Sequence, residues 1–481
     1  MPYSTYFAEE IMRPTIIKNH RNQRNELALL NKAYAKMLVR CGLLDEKDRV
    51  TIAGGLDRAL AALGEDTLDG NMTDLYFSME SALYAQIGEE TACRLHLGRS
   101  RNDIYCALAR MEIRKSIWQL AEHLVSLQHT ILDTATKNLR TIIPYYTYGQ
   151  PAQPGTYAHY LVTLAAMLGR DLDRLQAAYR NTNRSPMGGA ASIGTSFGID
   201  KTYMAELLGF DGVIDNSLDA VASFDFLLET EAAVAILMNT ASKTASDLFF
   251  WATDECRILD CDLSISGGSS IMPQKKNPAG VENVRAKSSH AAGLLAGGLM
   301  ATKNTSLFPV SDNFETTFLY WEHLDQAAKT LGMLEDALKH SAIRKDIAFR
   351  RALDSFTGAT ALAEALTLRF GIPFVETHHV VGEMVRQLMA KDRLHAAEMT
   401  EKLLRAAART VLGKEIIFSD AEIAEALSPA HGLDAKVTGG TPKVRDTKKL
   451  ISAGKKHLAG HERRLAAAKQ QVWAAYAKID A

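Results

Sequence analysis

Cysteine is scarce in this chain of 481 residues: Cys41, Cys93, Cys106, Cys256 and Cys261 are odd in number, widely spread and form no C-x-x-C pair. Neither a disulfide framework nor a zinc site is signalled, which suits a reducing, cytoplasmic setting. An excess of charge is missing too, because 55 Lys and Arg stand against 56 Asp and Glu. A formal net charge of -1 gives no electrostatic ground for nucleic acid or a membrane surface as partner, so a small molecule is expected. Long apolar runs are absent: no stretch approaches the ~18 to 20 uninterrupted residues of a membrane span, and no apolar core follows basic residues at the N-terminus. A soluble, untargeted protein is the expectation. Glycine and proline, finally, are missing altogether between Ser100 and Ile143.

That last absence leads to what is there. Apolar residues recur at three- and four-residue steps between Ser100 and Ile143, which predicts a helix of several tens of ångströms at about 1.5 Å per residue. A second such run spans roughly Asp225 to Asp254 and is apolar on more than one face. From Asn19 to about Leu63 the spacing of Leu27, Leu30, Tyr34 and Leu38 predicts a helical N-terminal region, with Gly42 as a stop. No strand-like alternation of comparable length occurs, so a mostly α fold follows. With 47% hydrophobic residues the chain can bury a sizeable core, and its length predicts two or three domains. Helices this long and apolar most of the way round outgrow a compact monomer, so oligomerisation is expected.

Two strings carry the chemistry. Gly267 to Pro278 reads G-G-S-S-I-M-P-Q-K-K-N-P: glycines that bend the backbone and expose its N–H groups, then two hydroxyls, two lysines and an amide. Such a segment is suited to holding an anion. His96 to Asp103 reads H-L-G-R-S-R-N-D, a glycine turn projecting arginines and an asparagine that can clamp a carboxylate through paired N–H donors. The first string resembles the G-S-S-x-M-P-x-K-x-N signature of the fumarase/aspartase superfamily, in the Q-K-K-N form of argininosuccinate lyases. The second resembles their H-T-G-R-S-R-N-D box. Further boxes follow in the same order: Pro186 to Thr195, Asn216 to Val221, Phe356 to Ala363, Gly371 to Phe374 with His378 and His379, and Gly439 to Pro442. The last reads physically as a turn, an N-cap threonine and a proline opening the final helix, and the basic tail beyond it as a solvated amphipathic face. Adjacent histidines on a helix share no face, so His378 and His379 read as structural and not as metal ligands.

The resemblance covers the whole chain. It implies a three-domain fold with a central bundle of long helices: an N-terminal helical domain over 1–103 with the carboxylate-binding box, a bundle domain over 104–350 with the signature loop, and a C-terminal helical domain over 351–481. It also implies a homotetramer whose active sites each take residues from three chains, a dicarboxylate substrate, and neither cofactor nor metal. The reaction it implies is anti elimination that cleaves a C–N bond beside a succinyl unit and releases fumarate. On this pattern Ser269 is the base and Lys275 supplies positive potential, while Ser100, Arg101, Asn102, Thr147, Gln150, Ser270, Met272 and Asn277 bind substrate. The general acid is left open by the pattern, with Tyr148, beside Glu282, as a candidate.

Departures from the pattern bear on the substrate. Tyr148 stands where the family has a histidine, in Thr147-Tyr148-Gly149-Gln150, and Tyr76 replaces a second one. Imidazole titrates near neutrality and a phenol near 10, so each exchange keeps a hydrogen-bonding tip and loses a ready base. Glu282, usual partner of the first histidine, is expected to accept from Tyr148 instead. An arginine is missing at Phe224-Asp225-Phe226, and Ala361 replaces an aspartate. Between Leu307 and Leu319 the tyrosine, glutamine and lysine that hold the arginine end of argininosuccinate are answered by Pro309, Phe314 and Thr317. The fumarate-holding half is therefore expected to persist while the arginine-holding half does not. The leading expectation is a C–N lyase for an N-substituted aspartate with an amine other than arginine. Argininosuccinate lyase itself is one alternative, and a silent, crystallin-like structural relative is the other.

Overall fold

The computed structural model describes residues 2–391 and 395–480. Its framework is a set of long helices whose ends follow local chemistry. Arg13–Arg40 stops where Gly42 takes the left-handed conformation at φ 70, the residue type that ends helices at no steric cost. Glu46–Ala62 then starts under an Asp45 cap, whose carboxylate accepts from Asp48 N at 2.7 Å. The glycine- and proline-free stretch forms Arg101–Lys137, opened by a reciprocal capping box between Ser100 and Asp103. Its 37 residues extend about 55 Å.

This helix packs against Tyr157–Thr182 and Ser311–Lys339, and Asp225–Ala252 packs against Tyr157–Thr182 and Ala279–Ser288. Leu120, Leu124, Leu127 and Ile131, one stripe at helical spacing, are fully buried in the resulting core. A second apolar core gathers Leu27, Leu30, Tyr34, Leu56, Leu75 and Met111, and a third lies among residues 362–427. The strands are short. Ile142–Thr147 pairs antiparallel with Gln150–Thr156, and Leu259–Cys261 with Ser341–Ile343.

The final helix, Val444–Asp480, lies along Arg101–Lys137 and Tyr157–Thr182. It buries Ile451, Leu458, Val472 and Ile479, so the basic tail is amphipathic with one face in the molecule. Its start differs from the sequence reading. Helix begins at Val444, and the Thr441 hydroxyl donates to Asp446 Oδ2 at 3.0 Å. The acidic side chain in the first turn is the better acceptor, so Thr441 works as its donor and Pro442 stands ahead of the helix. No helix among the described residues is long and apolar enough to cross a membrane.

Candidate active site

The carboxylate box sits at the N-terminus of Arg101–Lys137. Ser100 is its N-cap, with Asn102 N donating to its hydroxyl oxygen at 3.4 Å. Asp103 is buried, accepting from Ser100 N at 3.1 Å and from Gly188 N and Ala190 N at 3.2 and 3.0 Å. One carboxylate thereby ties the box to the small-residue loop. Burial lifts its pKa from 3.8 to about 6, against the three backbone donors that pull it down. Asn102 Nδ2 donates to Ala191 O at 3.0 Å, reinforcing the same junction. Arg101 donates to Asp74 Oδ2 at 2.6 Å and lies over the Phe77 ring.

Arg101 and Asn102 open into a cleft of about 540 Å³. The start of Ser311–Lys339, with Pro309, Phe314 and Thr317, lines the same cleft, so Arg101, Asn102 and the three departures from the family pattern share one cavity. Phe314 packs edge-on to Tyr105 and Phe224, at centroid distances of 6.0 and 5.4 Å. Thr317 is buried and its hydroxyl donates to Asn313 O at 3.1 Å, within its own helix. Phe7, Ile11 and Met12 add apolar surface from the N-terminal segment.

Sequence reasoning missed several residues of this cleft. Asn19 and Gln23 of the first long helix line it, as does Trp321. Gln23 Oε1 and Trp321 Nε1 are buried without a hydrogen-bond partner. A buried polar atom in that state is costly unless something pairs with it. The signal available was the polar pair Asn19 and Gln23, four apart and so on one face of the helix.

The signature loop is built separately. Gly267 and Asn277 exchange backbone hydrogen bonds at 2.9 Å, closing its base. Asn277 Nδ2 donates to Gly268 O at 3.4 Å. Ser269 Oγ accepts from Met272 N at 3.1 Å and Ile271 N at 3.4 Å, and such donors favour an oxyanion at that atom. The N–H groups of Gly268, Ser269 and Ser270 have no acceptor among the described residues, which makes three consecutive donors available to an anion. Lys276 turns away to Asp260 at 3.2 Å, whereas Ser270, Met272 and Lys275 are exposed.

Thr147, Tyr148 and Gln150 lie at the tip of the 142–156 hairpin. Tyr148 and Gly149 have φ 51 and 75, the pair of left-handed residues a tight two-residue turn needs. Holding a tyrosine there is unfavourable, and the side chain is wholly exposed. The expected contact with Glu282 is not formed within the chain, since Glu282 is exposed and faces Arg285 at 4.0 Å. Tyr76 is different again. It is buried, donates to Glu80 and meets His96 Nδ1, and desolvation drives its pKa far above the usual phenol value. His378 and His379 are both exposed. Neither the signature loop nor the hairpin tip lines the cleft.

A family model described as Lyase matches residues 2–293, and one described as Argininosuccinate lyase C-terminal matches residues 356–434. Argininosuccinate lyase 1 of Shouchella clausii is 31% identical over 462 residues, 94% of this chain and 91% of the relative. The argininosuccinate lyase of Methanococcoides burtonii is 34% identical over 436 residues, 90% of this chain and 87% of the relative. Among solved structures, an EDDS lyase in complex with formate superposes with a TM-score of 0.89 at 27% identity, covering 100% of this chain and 95% of that one. A variant of EDDS lyase with bound fumarate gives the same TM-score, 0.89, at 26% identity and the same coverage, 100% and 95%.

Proposed function

The chain belongs to the argininosuccinate lyase family of the fumarase/aspartase superfamily and is a fumarate-releasing carbon–nitrogen lyase, and from that premise we propose that it cleaves an N-substituted aspartate whose amine is not arginine. The observation that carries this reading is the cleft itself: Arg101 and Asn102, suited to a succinyl carboxylate, face Pro309, Phe314 and Thr317 across one cavity. At those three positions a guanidinium or an amino-acid end would meet a proline, an aromatic ring and a hydroxyl already engaged in its helix. Each polar group left unpaired costs about 1 to 3 kcal/mol, more if charged. The likeness to an EDDS lyase adds support, because its name is that of a lyase other than argininosuccinate lyase.

The elimination proceeds by loss of a proton from the carbon beside a carboxylate, forming an aci-carboxylate with two negative charges, followed by departure of the amine. Ser269, its own hydroxyl proton first released to solvent, takes the substrate proton as an oxyanion favoured by the Met272 and Ile271 N–H groups and by Lys275. The free N–H groups of Gly268, Ser269 and Ser270, with Asn277, meet the developing charge. Arg101, Asn102, Ser100, Thr147, Gln150 and Met272 bind the rest of the substrate, and Tyr148 protonates the departing nitrogen with Glu282 as its partner. These groups face solvent at separate places on one chain, which supports sites assembled from several copies in a homotetramer. The uncovered apolar face of His290–Thr302, where Leu299 and Met300 are 50% and 67% exposed, offers the surface to bury.

The reverse reaction tests the proposal. Fumarate incubated with purified protein and a panel of amines is expected to disappear with at least one amine less polar than arginine, at a rate abolished in Ser269→Ala. Consumption with arginine alone would overturn it.

A further inference from the structure

Away from the cleft, two helices bring three metal-binding side chains together. His457 and His461 are four residues apart on Val444–Asp480, the spacing that puts two side chains on one face. Asp173 reaches them from Tyr157–Thr182, its Oδ1 lying 3.0 Å from His461 Nε2 and 3.4 Å from His457 Nε2. All three ligand atoms lie within 4.8 Å of one another. A tetrahedral ion with nitrogen and oxygen ligands at about 2.0 to 2.1 Å needs ligand edges of about 3.3 Å, close to both measured distances.

We propose that Asp173, His457 and His461 form a binding site for a divalent first-row transition ion, Zn²⁺ foremost, that clips the C-terminal helix to the bundle. The donor set of two imidazoles and one carboxylate suits that class over Mg²⁺ or Ca²⁺, which take oxygen ligands. His461 is 5% exposed and its Nε2 stands 3.0 Å from Asp173 Oδ1, so a bound ion would take the place of the proton held between them. The other two ligands are about half exposed, leaving an entry path and a fourth position for water. Gly169 shapes the site from one turn before Asp173. A Cβ there would stand 3.2 Å from His457 Nδ1, so its absence lets the imidazole lie against the helix. Glycine inside a helix is destabilising relative to alanine, and the seating of His457 gives that choice a reason.

Metal-free protein titrated with ZnCl₂ by calorimetry, and with CoCl₂ by visible absorption, is expected to bind one ion per chain with a dissociation constant in the micromolar range or tighter. His457→Gln and Asp173→Asn, both at half-exposed positions, are expected to weaken binding roughly tenfold or more, to remove the cobalt bands and to leave fumarate release unchanged. Loading with Zn²⁺ should raise the melting temperature of the wild type and of neither variant. Millimolar binding, or equal affinity in wild type and both variants, would overturn the site, the latter by placing the ion elsewhere.

Discussion

On the proposed mechanism Ser269 must surrender a proton before it can take one, and its surroundings favour that ionisation. Two backbone N–H groups point at its oxygen, three more lie free beside it, and Lys275 is exposed on the same loop. Ser269→Ala is expected to lower kcat by ~10²- to 10⁴-fold without changing the circular dichroism spectrum, since the loop is closed by Gly267 and Asn277 backbone bonds. Asp103 offers a test by pH. Its folded pKa is raised to about 6 from 3.8, so the stability it contributes is fully present below about pH 4 and is lost as pH rises through 6. That loss is about 3 kcal/mol at 1.36 kcal/mol per unit. Asp103→Asn cannot ionise, so the stability gap between wild type and variant, measured by urea unfolding, is expected to narrow between pH 4 and 6. A gap that widens over that window would refute the assignment. At this scale Ser269, Arg101 and Asn102 were singled out by the strings that resemble the family's boxes. The sequence could not display the role of Asp103, because burial and loop contacts 85 and 87 residues away decide it.

The proposed substrate reading rests on the helix Ser311–Lys339. Phe314 is wedged between Tyr105 and Phe224 while lining the cleft. Phe314→Ala is expected to raise KM for the cognate N-substituted aspartate about tenfold or more, and to leave inhibition by fumarate unchanged, because the carboxylate clamp is on another helix. Equal losses for both would place Phe314 in the clamp. The final helix is held by Arg114, fully buried, which donates to Asn183 Oδ1, to the Leu208 and Gly209 carbonyls and to the Tyr476 hydroxyl. Arg114→Met strands those acceptors and should cost about 3 kcal/mol, read as a lower urea midpoint and faster proteolysis of the C-terminal helix. The long helices were legible because apolar periodicity and the lack of glycine and proline act locally. The 142–156 hairpin was not, being short, proline-containing and without alternation, and its tip shows only in the left-handed pair Tyr148 and Gly149. Thr441 was misread because the competing acceptor, Asp446, lies inside the helix it was expected to cap.

For the whole molecule, the separation of cleft, signature loop and hairpin tip supports the proposal of a site shared between chains. Sedimentation is expected to give a particle of four chains of 52.7 kDa. Ser269→Ala and Arg101→Ala chains, each inactive, should regain activity when unfolded and refolded together, since some sites then hold both residues intact. Homogeneous inactivity of the mixture would argue for sites complete within one chain. The family was readable from boxes spread along the entire sequence, whereas the cleft's amine side was readable only as a loss of polar residues. That Gln23 and Trp321 bring buried, unpartnered polar atoms to the cleft's lining needed the fold. The most direct test of the account is therefore kcat/KM for argininosuccinate, followed by fumarate absorbance beside a panel of N-substituted aspartates. The account predicts argininosuccinate below ~10² M⁻¹s⁻¹ and at least one other panel member within the usual enzymatic range of ~10⁴ to 10⁸ M⁻¹s⁻¹. Argininosuccinate within that range, with the rest inert, would contradict it.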